Sequence, residues 1–156
     1  MPVGVFLFVV VGIALAAAHF QSASASFVGN TGNLQVSFKE VGLGNGSVTY
    51  NLTADGTANY ACINNGGKNP KASNKQSVNG PVSATGTFKS DKNGSISGSL
   101  TLTPPPAPAG YSCSPGQSQT LVSVTYTNVT LTDTTNTDAP PMSSGAIHER
   151  SSFFPD

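Results

Sequence analysis

Between Val48 and Cys62 every even-numbered position is apolar or small: Val48, Tyr50, Leu52, Ala54, Gly56, Ala58, Tyr60 and Cys62. The odd positions between them are almost all Thr, Asn or Asp. Side chains alternate faces along a strand, so a period of two sustained over this length demands a long, half-buried strand. Asp55-Gly56 has the chemistry of a tight turn, but a hairpin there would oppose Leu52 to Asn59, apolar against polar. One strand bent or bulged near Gly56 keeps the apolar face whole.

The same alternation recurs along the chain, and no helical period follows the N-terminal run. Leu34, Val36 and Phe38 share a face, with Gln35, Ser37 and Lys39 on the other. "GLGNGSV" then turns the chain, and Asn45-Gly46 reads as a hairpin because both residues tolerate positive φ. Val82, Ala84, Gly86 and Phe88 form one inward face, and Ile96, Gly98, Leu100 and Leu102 another. A hairpin around "SDKNG" would pair Phe88 with Ile96, Ala84 with Leu100 and Val82 with Leu102, an apolar register throughout. Val122, Val124 and Tyr126 lie on one parity, Val129 and Leu131 on the other, which marks a bulge near Thr127–Asn128. Pro104–Gly110 is too proline-rich for a central strand and reads as an extended connection. Strands at this spacing, joined by long connections at 64–77 and 104–119, predict an all-β, antiparallel β-sandwich, immunoglobulin-like in the broad sense.

The N-terminus reads as a targeting signal. Val3–Ala18 is an apolar run shorter than a comfortable membrane span. Ala23-x-Ala25 fits the small-residue pattern of a signal-peptidase site, which places cleavage after Ala25. The expected organisation is a signal peptide at 1–25, a β-sandwich domain at 26–133 and a flexible C-terminal tail at 134–156. The product is expected outside the cell, as a monomer with no membrane attachment. The two cysteines, Cys62 and Cys113, then read as one disulfide, worth roughly 4 kcal/mol by loop-closure entropy.

Composition excludes several function classes. Seven Lys+Arg balance seven Asp+Glu, leaving no basic field for nucleic acid. Of the two histidines, His19 is expected to leave with the signal and His148 lies in the tail. With both cysteines bridged, no His-assisted nucleophile and no His/Cys metal site is expected. "DKNGSIS" resembles the start of a calcium loop, but the positions needing Gly and an acid are Ile96 and Leu102. The carboxylates Glu40, Asp55, Asp91 and Asp133 are spread along the chain, and nothing in the spacing pairs two of them. No catalytic residue, cofactor or metal is therefore expected, and the chain reads as a non-enzyme.

The candidate contact surface is the loop after Cys62. Asn64, Asn65, Lys68, Asn69, Lys71, Asn74 and Lys75 give it many donors and no carboxylate, suited to an extracellular glycan or an anionic cell-wall polymer. It lacks aromatic residues to stack on sugar rings, and a solvated connection has the same composition. Asn45, Asn51, Asn93 and Asn128 each head an N-x-[ST] triplet, so each is a candidate glycan site in a eukaryotic host.

Several stretches resemble a group of small secreted proteins of unknown function from actinobacteria and fungi. The resemblance rests on "YACINNGG" (60–67), "ASNK" (72–75), "GPVSATGTF" (80–88) and "YTNVTLTD" (126–133), and spans roughly residues 33–136. "ASNK" departs from the group's Ala-Ala-Asn-Lys, and the tail after 136 has no counterpart. The resemblance implies export and a single β domain, and brings no catalytic residues. The leading expectation is a secreted, non-enzymatic surface binding module. The rivals are a structural or defence-type secreted protein without a ligand site and, last, a glycoside hydrolase.

Overall fold

A computed structural model of the chain describes residues 17–64, 75–137, 141–144 and 147–150. Most of the expected signal, the loop residues 65–74 and the end of the tail, with Phe153 and Phe154, lie outside the described residues. Among those described there are eight strands: β1 (His19–Phe27), β2 (Leu34–Val41), β3 (Ser47–Asn64), β4 (Lys75–Lys89), β5 (Ile96–Leu102), β6 (Gln117–Asp133), β7 (Met142–Ser144) and β8 (Ile147–Arg150). They form two antiparallel sheets, one ordered β1-β2-β5 and the other β4-β3-β6-β7, with β8 also pairing β6.

The long alternating segment is the axis of the second sheet. β3 runs for 18 residues without a turn, paired with β4 from Ser47↔Lys89 to Ala61↔Lys75. Its even positions are buried from Val48 to Ala58. The bulge read from the parity switch is present, on the neighbouring strand. Thr53 pairs Thr130 and Asp55 pairs Thr127, so Ala54 stands opposite both Asn128 and Val129. Asn128 adopts φ +52° there, the only positive-φ residue other than glycine among the described residues. Asparagine enters that region readily because its short amide bonds locally. Here the Asn128 amide donates to Asp55 Oδ2 at 2.9 Å.

A second bulge was not legible. Asn59 pairs Ser123 while Tyr60 pairs Leu121, which makes Val122 the extra residue. Val122 therefore leaves the core face to which simple alternation assigned it, and Leu121 turns in over Gly32. Beyond this point β3 also loses its alternation, and Ala61, Cys62 and Ile63 are all buried.

Both expected hairpins are corrected. β2 and β3, either side of Asn45-Gly46, lie in different sheets, and so do β4 and β5, either side of "SDKNG". Each connection is an arch from one layer to the other. Phe88 pairs Val48, not Ile96, while Leu100 pairs Val36 and Leu102 pairs Leu34. Parity identifies which side chains point inward but not whether inward partners are side by side or face to face, so both topologies satisfied the pattern. Ser90 clasps the two arches: its backbone N–H donates to Gly46 O at 2.9 Å. Its Oγ accepts from Gly46 N at 3.0 Å and shares its proton between Gly44 O and Gly46 O.

One core fills the space between the layers. Leu34, Val36 and Phe38 of β2 and Ile96, Leu100 and Leu102 of β5 meet Val48, Tyr50 and Leu52 of β3 and Val124, Tyr126, Val129 and Leu131 of β6. At one end Phe38 lies against Tyr50 (centroids 4.5 Å) and edge-on to Phe88 (5.7 Å) and Phe20 (6.1 Å). Gly98 makes room for this stack: a Cβ there would sit 2.8 Å from the Phe88 ring and 3.1 Å from Phe38. At the other end Tyr126 packs on Phe27 and donates its hydroxyl to Gly32 O at 2.8 Å.

Two boundaries differ from the sequence reading. β1 begins at His19, ahead of the expected cleavage point, and is paired to β2 along its length. The segment after Thr134 is not free of structure: β7 pairs Val129–Leu131 and β8 pairs Ser123–Tyr126. These two strands are short and lack alternation, so no period revealed them.

Candidate functional site

The cysteine pairing is as read from the sequence: Cys62 and Cys113 form a disulfide. It joins the end of β3 to the proline-rich connection, which has no strand of its own and runs from β5 in one sheet to β6 in the other. Pro105 packs over Gly56 and its carbonyl accepts the Tyr60 hydroxyl at 2.7 Å, so the connection is fastened at two places.

This bridge stands at the base of the Asn/Lys loop. Asn64, the last residue of β3, is exposed and its Oδ1 accepts from Gln117 Nε2 at 3.0 Å. Lys75, the first residue of β4, is exposed and pairs with Ala61 in the ladder. Asn65, Lys68, Asn69, Lys71 and Asn74 lie outside the described residues. The described anchors are thus two adjacent strands, tied to a third by the Asn64–Gln117 bond.

A second surface sits at the opposite end. The two arches bound an open cleft of about 890 Å³ lined by Gly42, Asn45, Lys89, Asp91, Lys92 and Asn93 among others. Asp91 caps its own turn, accepting from the backbone N–H of Asn93 (2.8 Å) and of Ser95 (2.9 Å). Those two bonds hold its carboxyl below the usual range, with smaller help from Lys39 and Lys92. The four sequons fall into different settings. Asn45 and Asn93 are exposed on the arches, Asn51 is half-buried on β3 and accepts from Thr85, and the Asn128 amide is engaged by Asp55.

The carboxylate pair that spacing did not suggest lies inside the fold at this same end. Glu40 continues the inward parity of Leu34, Val36 and Phe38, and is 0% exposed. It faces the second sheet, where Tyr50 donates its hydroxyl to Glu40 Oε2 at 2.6 Å. Asp133, 1% exposed, pairs Tyr50 in the adjacent strand. Its Oδ1 accepts from the backbone N–H of Thr135 and Asn136 at 2.8 Å, and its Oδ2 from Asn136 Nδ2 at 2.7 Å. Glu40 Oε1 has no donor, and the Asp133 carboxyl, another acceptor, is close enough to raise the Glu40 pKa. A proton on Glu40 would supply the donor that this pair of acceptors lacks. Burial pushes the Glu40 carboxyl up, the Tyr50 bond draws it down, and the Asp133 charge and hydrogen bond raise it further. Burial likewise raises the Tyr50 phenol, and Glu40 adds to it.

Asp55 and Asp91 stand apart from this pair, Asp55 on the exposed rim of β3. The signal that could have found the pair was parity alone: Glu40 and Asp133 each sit two residues beyond an inward hydrophobic residue. Glycoside hydrolysis needs two carboxyls about 5 Å or more apart, flanking a bond in a cleft. Glu40 and Asp133 are both sealed from solvent, each already engaged by donors of the fold itself. A small slit between the sheets, lined by Ala23, Ala25, Val36, Leu52, Val129 and Leu131 among others, holds about 90 Å³, well under an ordinary ligand site. Among the described residues no three His, Cys, Asp or Glu side chains are grouped to hold a metal, and no helix is long and apolar enough to cross a membrane.

No family model, no curated protein and no solved structure matched this chain.

Proposed function

We propose that this protein is an exported, non-enzymatic β-sandwich, immunoglobulin-like in the broad sense, that binds an extracellular hydroxyl-rich or anionic polymer through its 64–75 loop. The observation that carries the reading is the anchoring of that loop. Its two ends leave paired strands beside the Cys62–Cys113 bond, and Gln117 of β6 holds Asn64. A base this constrained reduces the conformational entropy lost when the loop meets a partner. Its three lysines and four asparagines offer donors and positive charge without a competing carboxylate. The sealed state of Glu40 and Asp133 supports a non-catalytic role, since neither oxygen pair meets a cleft a substrate could enter.

The test is binding to a glycan array and to isolated cell-wall material, with the triple variant Lys68→Ala, Lys71→Ala, Lys75→Ala in parallel. Loss of binding in the variant is the expected result. Binding that persists unchanged would remove the loop from the reading and direct attention to the cleft between the arches. A protein that binds nothing in either form would favour a structural or defence-type secreted protein without a ligand site.

A further inference from the structure

The expected cleavage after Ala25 conflicts with what β1 does. Phe20 is half-buried in the aromatic stack, 6.1 Å from Phe38 and 6.0 Å from Tyr50. A bulge at Gln21 then shifts the register, so that Ala23, opposite Phe38, and Phe27, opposite Leu34, also pack against the core. Cutting after Ala25 would leave only Ser26 and Phe27 of this strand. It would uncover one flank of β2 and open the stack around Phe38. Unpaired ladder groups and an exposed aromatic face both oppose folding.

The leader contains another small-x-small triplet, Ala16-Ala17-Ala18, which follows the apolar run directly. Ala17 and His19 are exposed and the strand begins at His19, so this bond lies just outside the ladder. We propose that a membrane-bound signal peptidase hydrolyses the Ala18–His19 peptide bond, so that the exported protein starts at His19. Water adds across the bond, leaving the Ala18 carboxylate on the leader and a free α-amine on His19. The inference rests on the export reading above.

The new terminus has a further consequence for the acid pair. The described partners of Glu40 and Asp133 are a phenol, two backbone N–H groups and a side-chain amide, with no lysine or arginine among them. His19 pairs Val41, the residue after Glu40, so the new terminus stands at the Glu40 end of β2. An α-amine, with an ordinary pKa of about 7.7–8.0, carries a positive charge at neutral pH. Processing at His19 thus adds a cation at the end of the fold where two carboxyls are sealed in, and cleavage after Ala25 removes that residue altogether.

The experiment is expression of the full chain in an exporting host, with the medium and the cells analysed separately by N-terminal sequencing and intact mass. The expected product in the medium starts at His19. Ala25→Gln leaves that start unchanged, whereas Ala18→Gln abolishes it. A product in the medium starting at Ser26, or anywhere other than His19, overturns the proposal while leaving export intact. Chains found only in the cells and starting at Met1 overturn export and the proposal together. As a second measurement, purified chains spanning 19–156 and 26–156 are compared by thermal unfolding. The shorter chain is expected to melt at least about 10 °C lower; equal melting temperatures would refute the structural premise.

Discussion

Replacing Glu40 by Gln should stabilise the protein at neutral pH, although it alters a fully buried side chain that is hydrogen-bonded to Tyr50. The amide keeps the shape of the carboxyl and its oxygen still accepts from Tyr50. Its NH₂ takes the place of Oε1, which lacks a donor, and can donate to the Asp133 carboxyl. Relieving an unsatisfied buried polar atom is worth about 1–3 kcal/mol. At about 4 °C per kcal/mol for a domain of this size, that is a rise of roughly 4–12 °C in melting temperature. The pH dependence is the sharper test. Burial and Asp133 raise the folded pKa of Glu40 above its ordinary value of 4.5, so the folded state holds more protons than the unfolded one between those two values. Stability from this group is therefore complete below the ordinary value and is lost as pH rises through the raised one. Glu40→Gln removes that slope, and the two melting curves should separate as pH climbs from about 4 to 8. Thermal unfolding followed by circular dichroism over that range reads both effects. A variant that melts lower than the parent at neutral pH, or whose pH profile runs parallel to it, would refute the reasoning.

Other perturbations follow from the same geometry. Cys62→Ser with Cys113→Ser should cost about 4 kcal/mol, the loop-closure value for a separation of 51 residues, measured by denaturant unfolding. Gly98→Ala should destabilise by about 1–3 kcal/mol, because its methyl group meets the Phe88 and Phe38 rings, which pin one another edge to face; unchanged stability would mean that the stack yields. In a eukaryotic exporting host, peptide mapping should find glycans on Asn45 and Asn93 ahead of Asn128, whose amide must first leave Asp55.

What could be read beforehand divides along physical lines. Parity revealed the long β3 and the bulge at Asn128, because a switch of inward face has only one geometric cause. It could not separate a hairpin from an arch, since Phe88 and Ile96 point into the same core whether their strands are neighbours or face one another. Glu40 was passed over because an acid at an inward position contradicts the pattern used to find the core. Only its partners, Tyr50 from β3 and Asp133 from a strand far along the chain, make its burial intelligible. β1 was hidden for a different reason. The small residues that suit a peptidase, Ala23 and Ala25, also suit a strand packed closely against β2, and the targeting reading claimed them first. The loop at 65–74, the leading candidate surface, was legible only as composition.

The strand order β4-β3-β6 sets a timetable for folding. β3 occupies the middle of its sheet, yet one of its two neighbours, β6, is made only after β4, β5 and the proline-rich connection. As the polypeptide is synthesised, its longest apolar ribbon must wait, half dressed, until Asp133 has emerged. Pairing over such sequence distances is slow, on the order of milliseconds to seconds even for small domains. Throughout that interval the uncovered side of β3 is the place where chains would stick to one another, and where a holding chaperone would do most good.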